Sequence, residues 1–144
     1  MGLTGDFAAL ADLVAKLERA ANVKADLLEG LGEEVVDLIK AGFDATTAPD
    51  GTEWAPTVAG NKPLHGPTGD LKSGWHIKSI GGDSVTVGPS VWYGAVHQGG
   101  TNRAGRDRKT RIVARPMVPD GELPPKWSKQ LEAAADEMLA ELFK

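Results

Sequence analysis

The chain has 144 residues, of which 41% are hydrophobic and 25% are charged, and these values fit one soluble domain with a single core. It contains no cysteine, which excludes a disulfide framework, a cysteine nucleophile and cysteine-ligated zinc or iron–sulfur sites. The net charge of −4 is unevenly placed, because residues 98–115 carry six basic side chains against one acidic side chain in an otherwise acidic chain.

The N-terminal third of the chain predicts two helices. Apolar residues recur at intervals of three or four from Leu3 to Ala21, which places them on one face of an α-helix. Residues 22–23 interrupt this spacing, so we expect a second helix to begin near Lys24 and to end at Gly42 or at the TTAPDG run, residues 46–51. This segment lacks a basic n-region and its apolar residues are spaced rather than continuous, so we expect neither a signal peptide nor a membrane span in it, and no membrane partner.

Two glycines lie inside the second predicted helix. Gly30 and Gly32 each cost a helix about 1 kcal/mol relative to alanine. A close approach of another backbone, from the same subunit or from a neighbouring one, would compensate for that cost. The glycines therefore predict that this helix packs tightly against another element.

The middle of the chain predicts a long loop followed by a β-hairpin. Residues 47–70 are rich in proline, glycine, asparagine and aspartate, which indicates turns, and residues 71–74 fit one short turn of helix. Two runs with strand-like alternation then flank residues 81–83, whose Gly-Gly-Asp sequence is a hairpin signal. Residues 90–100 are compatible with a third strand or with a short helix.

The last third predicts a loop, a strand and a helix. Residues 99–110 show no periodic spacing, and we expect a mobile basic loop there. Residues 111–119 are typical of a strand that Pro116 and Pro119 stop. Pro124 and Pro125 suit the first turn of a final helix. Its apolar stripe comprises Trp127, Leu131, Ala134, Met138 and Leu142.

The order of these elements predicts one α+β domain over residues 1–144. We expect a small antiparallel sheet of three to four strands, packed by two N-terminal helices and one C-terminal helix. Such a sheet offers little area to three amphipathic helices, so some apolar helical surface is expected to contact another subunit. Trp54 and Trp127 could anchor that contact, or they could fill a small core.

No pattern in the sequence predicts an enzyme. His65, His76 and His97 lack the spacing of a zinc site, and neither a GxSxG nucleophile motif nor a phosphate-binding glycine loop is present. We therefore predict no catalytic residue, no metal site and no cofactor. A metal-dependent hydrolase that brings the histidines together in the fold is an alternative, which stoichiometric zinc in the purified protein would favour.

Five basic side chains lie close together in and beside the predicted loop: Arg103, Arg106, Arg108, Lys109 and Arg111. They could be solvated charges on a disordered loop, or they could contact an acidic partner or DNA. Without aromatic residues for stacking or a recognition helix, only sequence-independent contact with phosphates is expected. A small nucleic-acid-binding accessory protein that uses residues 103–115 is thus an alternative function.

A succession of motifs runs through the middle half of the chain: Phe43, APDGTEWAP (48–56), KPLHGPTGDLKSG (62–74), DSVTVGPSVWYGAVHQGG (83–100) and ARPMVP (114–119). This succession resembles the phage virion morphogenesis family, the tail-completion proteins of Mu-like phages. It is more distantly similar to the tail-completion proteins of lambdoid phages. The matching positions are Asp50, Gly51, Trp54, Thr68, Gly69, Leu71, Tyr93, His97, Gln98, Gly100, Arg115 and Pro116.

The resemblance implies a structural, non-enzymatic virion protein at the head–tail junction. Such a protein would form a ring, of six subunits by the resemblance, that caps the tail or joins it to the head connector. Its partners would be its own copies, the tail tube or tail terminator, and the head connector, with non-specific contact to DNA in the lumen. It would be found in the host cytoplasm during assembly and then in the virion.

The matching residues also carry structural expectations of their own. Asp50 and Gly51 suit a tight turn that Trp54 packs down. Residues 68–71 offer a helix cap and an apolar anchor, and residues 91–97 are expected to be buried. Arg115 is expected to be free to pair with an acidic group.

Overall fold

The computed structural model describes residues 7–66 and 68–142. Within them lie the helices α1 (Phe7–Ala45), α2 (Asp70–Ser73), α3 (Gly94–Gly99) and α4 (Pro125–Leu142). The strands are β1 (His76–Ile80), β2 (Val85–Gly88), β3 (Thr101–Ala104) and β4 (Thr110–Ile112). The α+β class is confirmed. No helix in the described part of the chain has both the length and the hydropathy that a membrane crossing requires.

The strands form two separate hairpins rather than one sheet. β1 pairs with β2 and β3 pairs with β4, each pair being antiparallel. The prediction of one sheet of three to four strands is therefore wrong, because residues between the hairpins form α3 instead of a third strand. The predicted hairpin turn at residues 81–83 is confirmed, with the Gly81 amide donating to the Ser84 carbonyl at 2.7 Å.

The N-terminal third of the chain is one helix of 39 residues rather than two. The predicted break at residues 22–23 is wrong, because asparagine and valine each cost a helix at most about 0.7 kcal/mol relative to alanine. The apolar spacing also resumes in the same heptad register after the interruption, at Leu28 and Leu31. At about 1.5 Å per residue, α1 is roughly 58 Å long. Leu3, the first position of the predicted stripe, lies outside the described residues.

Among the described residues, the rest of the fold covers only the C-terminal half of α1. α4 packs antiparallel to it, since Met138 lies against Gly30 while Trp127 and Leu38 line one cavity further along. α4 ends at Leu142, four residues after Met138. α1 therefore extends beyond the end of α4 by roughly 18 residues, or about 27 Å.

Gly30 and Gly32 permit two close contacts of α1, one with α4 and one with the β1–β2 hairpin. A Cβ atom on Gly30 would collide with Met138 Sδ. One on Gly32 would lie 2.8 Å from Val85 Cγ2 and 2.9 Å from Ile77 Cδ1, both in the β1–β2 hairpin. The predicted tight packing is present within the subunit, but the expected approach of another backbone is wrong, because side chains of α4 and of the hairpin fill the space.

Replacing Gly32 with valine is expected to lower the free energy of unfolding by about 2 kcal/mol, because overpacking a filled interior costs about 1–3 kcal/mol. The new methyl groups would push the β1–β2 hairpin away from α1. Ala15→Val is the matched control, since it adds valine at an exposed position of the same helix and should cost less than about 1 kcal/mol. Urea unfolding measures the free energy of unfolding of both variants. Equal losses of stability would show that Gly32 has no special packing role.

The core lies around the C-terminal end of α1. Phe43 is fully buried, and the Trp54 ring meets it edge-on with centroids 5.3 Å apart. Trp75 and Trp127 are buried in the same cluster. Trp54 and Trp127 therefore fill the core instead of anchoring an interface, whereas the fourth tryptophan, Trp92, is 85% exposed.

The segment predicted as a basic loop contains a second hairpin. β3 and β4 lie side by side, and residues 105–109 form the turn between them. The absence of regular structure expected for residues 99–110 is therefore wrong, while their mobility stays a prediction. The strand expected over residues 111–119 pairs only as far as Ile112, and the final helix is confirmed from Pro125 onward.

Candidate functional site

Several of the motif residues meet at an extended segment, residues 114–118. Trp54 Nε1 donates a hydrogen bond to the Pro116 carbonyl at 2.8 Å. From α3, Gln98 Nε2 donates to the Val118 carbonyl at 2.8 Å. Gln98 Oε1 accepts from the Met117 and Val118 amides at 2.7 and 3.1 Å. These bonds hold the segment against the core, where Met117 is buried.

Arg115 attaches the same segment to a second part of the fold. Its Nε donates to the Ala55 carbonyl at 2.8 Å and its Nη2 donates to the Pro56 carbonyl at 3.1 Å. Its backbone amide donates to the His97 carbonyl at 2.8 Å. The expectation that Arg115 is free to pair with an acidic group is wrong, because backbone carbonyls bind its guanidinium.

Other motif residues shape the turns on either side of this segment. Asp50 accepts a hydrogen bond from the Thr52 amide at 2.9 Å, which holds the pKa of Asp50 below its ordinary value. Gly51, in the same turn, has a φ of 90° that a side chain would strain. Gly100 has a φ of 70°, and a Cβ atom there would lie 2.8 Å from the Ala114 amide nitrogen.

The motif residues around α2 and α3 are only partly as predicted. Leu71 is buried and anchors α2, but Thr68 does not cap it, because Gly69 occupies the cap position without a side-chain bond. Residues 91–97 were expected to be buried, yet only Gly94 is fully so. Tyr93 is half-buried.

Tyr93, His97 and Arg115 line a cavity of about 290 Å³ together with His65 and Leu71. Nδ1 of His97 and Nε2 of His65 are buried and form no hydrogen bond with the described residues. Among those residues neither ring is bonded to a carboxylate or hydroxyl, the partners that a catalytic histidine uses. The described residues also contain no group of three metal-ligating side chains.

His97 is expected to make folding stability depend on pH. Burial lowers the pKa of His97, and Arg115 lowers it further. The unfolded chain, in which histidine has a pKa of about 6.5, then binds a proton that the folded chain does not. The free energy of unfolding should therefore fall as the pH drops below about 6.5.

His97→Gln should remove that part of the pH dependence, since glutamine does not titrate. Chemical unfolding of both proteins at pH 7.5 and 5.5 measures the difference. Equal losses of stability in the two proteins would show that the pKa of His97 is the same in the folded and unfolded chains.

Gln98→Ala is expected to lower the free energy of unfolding by about 2 kcal/mol, since it removes three part-buried hydrogen bonds and leaves backbone groups unsatisfied. Gln130→Ala is the matched control, because Gln130 is exposed on α4. The free energy of unfolding of Gln130→Ala should stay within about 0.5 kcal/mol of the wild-type value. Thermal or urea unfolding compares the two, and a small effect at Gln98 would mean that water replaces its bonds.

The free half of α1 carries an exposed apolar surface. Every residue from Ala11 to Asn22 is exposed. Leu13, Val14 and Leu17, which we call the α1 stripe, are 53%, 45% and 62% exposed and lie on one face. The stripe continues the face that the β1–β2 hairpin covers at Gly32, further along the helix. An apolar helix face that the other described residues leave exposed is typical of an interaction surface.

A second apolar surface lies beside α3. We call it the Trp92 cleft, a depression of about 470 Å³ whose lining includes Trp75, Lys78, Pro89, Val91, Trp92 and Ala95. The sequence reasoning missed it. A signal was present, because Trp92 and Ala95 are apolar and lie three residues apart, which is a helical spacing.

The β3–β4 hairpin presents the basic side chains. Arg103 lies in β3, Arg111 lies in β4, and residues 106–109 lie in the turn. All five basic residues are exposed. No ion pair engages them within residues 7–66 and 68–142. Their charges are available to a phosphate or to an acidic surface.

One comparison with known proteins bears on this architecture. A family model described as the phage virion morphogenesis family matches residues 6–140. No curated protein and no solved structure matches the chain. The matched region includes the cluster of motif residues around residues 114–118 and all the described helices and strands except the last two residues of α4.

Proposed function

The chain belongs to the phage virion morphogenesis family, and we propose that it completes the tail at the head–tail junction as one subunit of a ring. Family membership makes it a phage morphogenesis protein associated with the virion. The ring would cap the tail or join it to the head connector. Its assembly would take place in the host cytoplasm before the particle is complete.

The α1 stripe is the observation that carries this proposal. A ring needs a heterologous interface, in which one patch of each subunit fits a different patch of the next. Leu13, Val14 and Leu17 lie on a helix that extends about 27 Å past the end of α4. An apolar surface held away from the body in this way can reach a neighbouring subunit.

The proposed partners follow from the position of such a ring. They are other copies of this chain, six in all by the family resemblance, the tail tube or tail terminator on one side, and the head connector on the other. The role requires no catalytic residue, metal or cofactor. Hydrogen bonds and packing around residues 114–118 would serve to keep the subunit rigid.

Electron microscopy of lysates from a phage that lacks this chain tests the proposal. The expected result is full heads and completed tails that are not joined to each other. Adding the gene back should restore joined particles. Joined and infectious particles in the null lysate would rule out a role at the junction.

The exposed basic hairpin supports a second candidate function, that of a small nucleic-acid-binding accessory protein. In the ring, the same hairpin would touch DNA in the lumen without reading its sequence. Binding to duplex DNA that weakens steeply with salt, and that is lost when the five basic residues are replaced by glutamine, would favour it. Salt-independent or absent binding would leave the hairpin as a protein contact.

A further inference from the structure

We propose that the α1 stripe of one copy docks into the Trp92 cleft of the next copy. This inference rests on the proposed ring and names the contact that would build it. It assigns one occupant, a second copy of this chain, to two apolar surfaces that nothing covers within the described residues. The contact is head-to-tail, because each copy offers its helix to one neighbour and its cleft to the other.

The stripe has no occupant among the described residues of its own subunit. Its residues belong to the same continuous helix as the buried half of α1, so they cannot fold back onto their own subunit unless the helix breaks. Further along, the β1–β2 hairpin of this chain covers the same face at Gly32, which lies about five helical turns after Val14. A partner surface of similar apolar character is therefore expected over Leu13 and Leu17.

The cleft has the properties of the matching surface. Trp92, on its rim, is 85% exposed, and tryptophan is among the residues that dominate the energy of protein contacts. Proline, valine and alanine side chains line much of the rest. The cleft has a volume of about 470 Å³. The side chain of Leu17, with Leu13 and Val14 beside it on the helix, is a suitable occupant for a depression of this size.

The charges beside the two surfaces are complementary. Lys78 alone is charged among the described residues that line the cleft, and it forms no ion pair within them. Glu18 follows Leu17 directly and is exposed at the edge of the stripe. Docking of the stripe would bring Glu18 to the same rim as Lys78, where opposite charges favour one orientation.

Pairing of two stripes with each other is the main rival arrangement. It would close after two copies and leave the Trp92 cleft exposed, whereas the head-to-tail contact covers both surfaces and can continue around a ring. The two arrangements differ in which residues lie next to each other. Chemical crosslinking can separate them, because the chain has no cysteine of its own.

The test uses single-cysteine variants joined by a short bis-maleimide. Leu17→Cys mixed with Ala95→Cys should give a covalent dimer, and a double variant carrying both changes should give a ladder of larger products. Leu17→Cys alone should give almost none. Arg19→Cys mixed with Ala95→Cys is the matched control, because Arg19 is exposed on the opposite face of α1, and it should give no dimer.

The reaction is run on purified protein and on particles assembled from each variant alone, from each mixture and from the double variant. Efficient crosslinking of Leu17→Cys with itself would overturn the proposal in favour of stripe-to-stripe pairing. Equal products from the Arg19 control, or no Leu17–Ala95 product in either sample, would also overturn it. If Leu17→Cys assembles poorly, Leu13→Cys takes its place.

This result is separate from the test of the proposed function. A null lysate that still joins heads to tails would remove the junction role, whatever the crosslinks show. Unjoined heads and tails without a Leu17–Ala95 product would keep the junction role and discard this contact.

Discussion

Replacing both Leu13 and Leu17 with aspartate should leave folding intact and reduce the titre of infectious particles by about a thousandfold. Both side chains are more than half exposed, so the free energy of unfolding should change by less than about 0.5 kcal/mol per site. At a subunit contact, an unpaired buried carboxylate costs about 3–5 kcal/mol. A cost of about 4 kcal/mol corresponds to a factor of about a thousand in an association constant.

The control for this variant changes the charge by the same amount elsewhere on the helix. Ala15→Asp with Asn22→Asp adds two carboxylates to exposed positions away from the stripe, and particle titre should stay close to wild type. Complementation of the null phage measures both variants, and circular dichroism checks their helix content. A normal titre for the stripe variant would remove the α1 stripe as a contact. An equal loss in the control would point to net charge instead.

Phe43→Ala should lower the free energy of unfolding by about 4 kcal/mol, because truncating a buried phenylalanine costs about 3–5 kcal/mol. Phe43 is fully buried, and the rings of Trp54 and His65 contact it edge-on. It joins the end of α1 to the turns that follow. Small domains have about 5–15 kcal/mol of stability in total, so this variant should be close to unfolding at 37 °C.

Urea unfolding followed by tryptophan fluorescence measures this loss, since Trp54 reports directly on the site. Val58→Ala is the control, because Val58 is fully exposed and its change should stay within about 0.5 kcal/mol. A loss smaller than about 1 kcal/mol at Phe43 would mean that the core can collapse around the cavity.

Local residue chemistry was sufficient to predict several elements of this fold. The Gly-Gly-Asp turn at residues 81–83, the short helix after Gly69 and the proline-started α4 all follow from neighbouring residues. The same reasoning failed at residues 22–23, where a weak local interruption was given more weight than the heptad register on both sides. The register is the stronger signal, because it determines which face of α1 is apolar.

Contacts between distant residues decided what the sequence left open. Residues 90–100 become a helix in which Gln98 can bind the backbone of residues 117 and 118. The spacing of residues within 90–100 does not indicate that Gln98 would bind these backbone atoms. The prediction of one sheet of three to four strands failed for the same reason. The run that could have supplied a third strand forms α3 instead, and α3 lies between the two hairpins in the chain.

The motif residues were found from the sequence, but most of their roles were not. Trp54, Gln98 and Arg115 bind backbone atoms about 20 to 60 residues away in the chain, and such pairs leave no local pattern. The sequence also did not indicate which tryptophans are buried and which are exposed. The two suggested as interface anchors are buried, and the exposed one is Trp92.

The proposed function holds that the protein acts by occupying a place in the particle and not by turning over a substrate. Titration of purified protein into a null lysate of separate heads and tails tests this claim most directly. Infectious titre should rise in proportion to the protein added and then level off at a fixed number of copies per particle. Full recovery from far fewer copies than particles, given time, would show that the chain acts as a catalyst and would contradict the account.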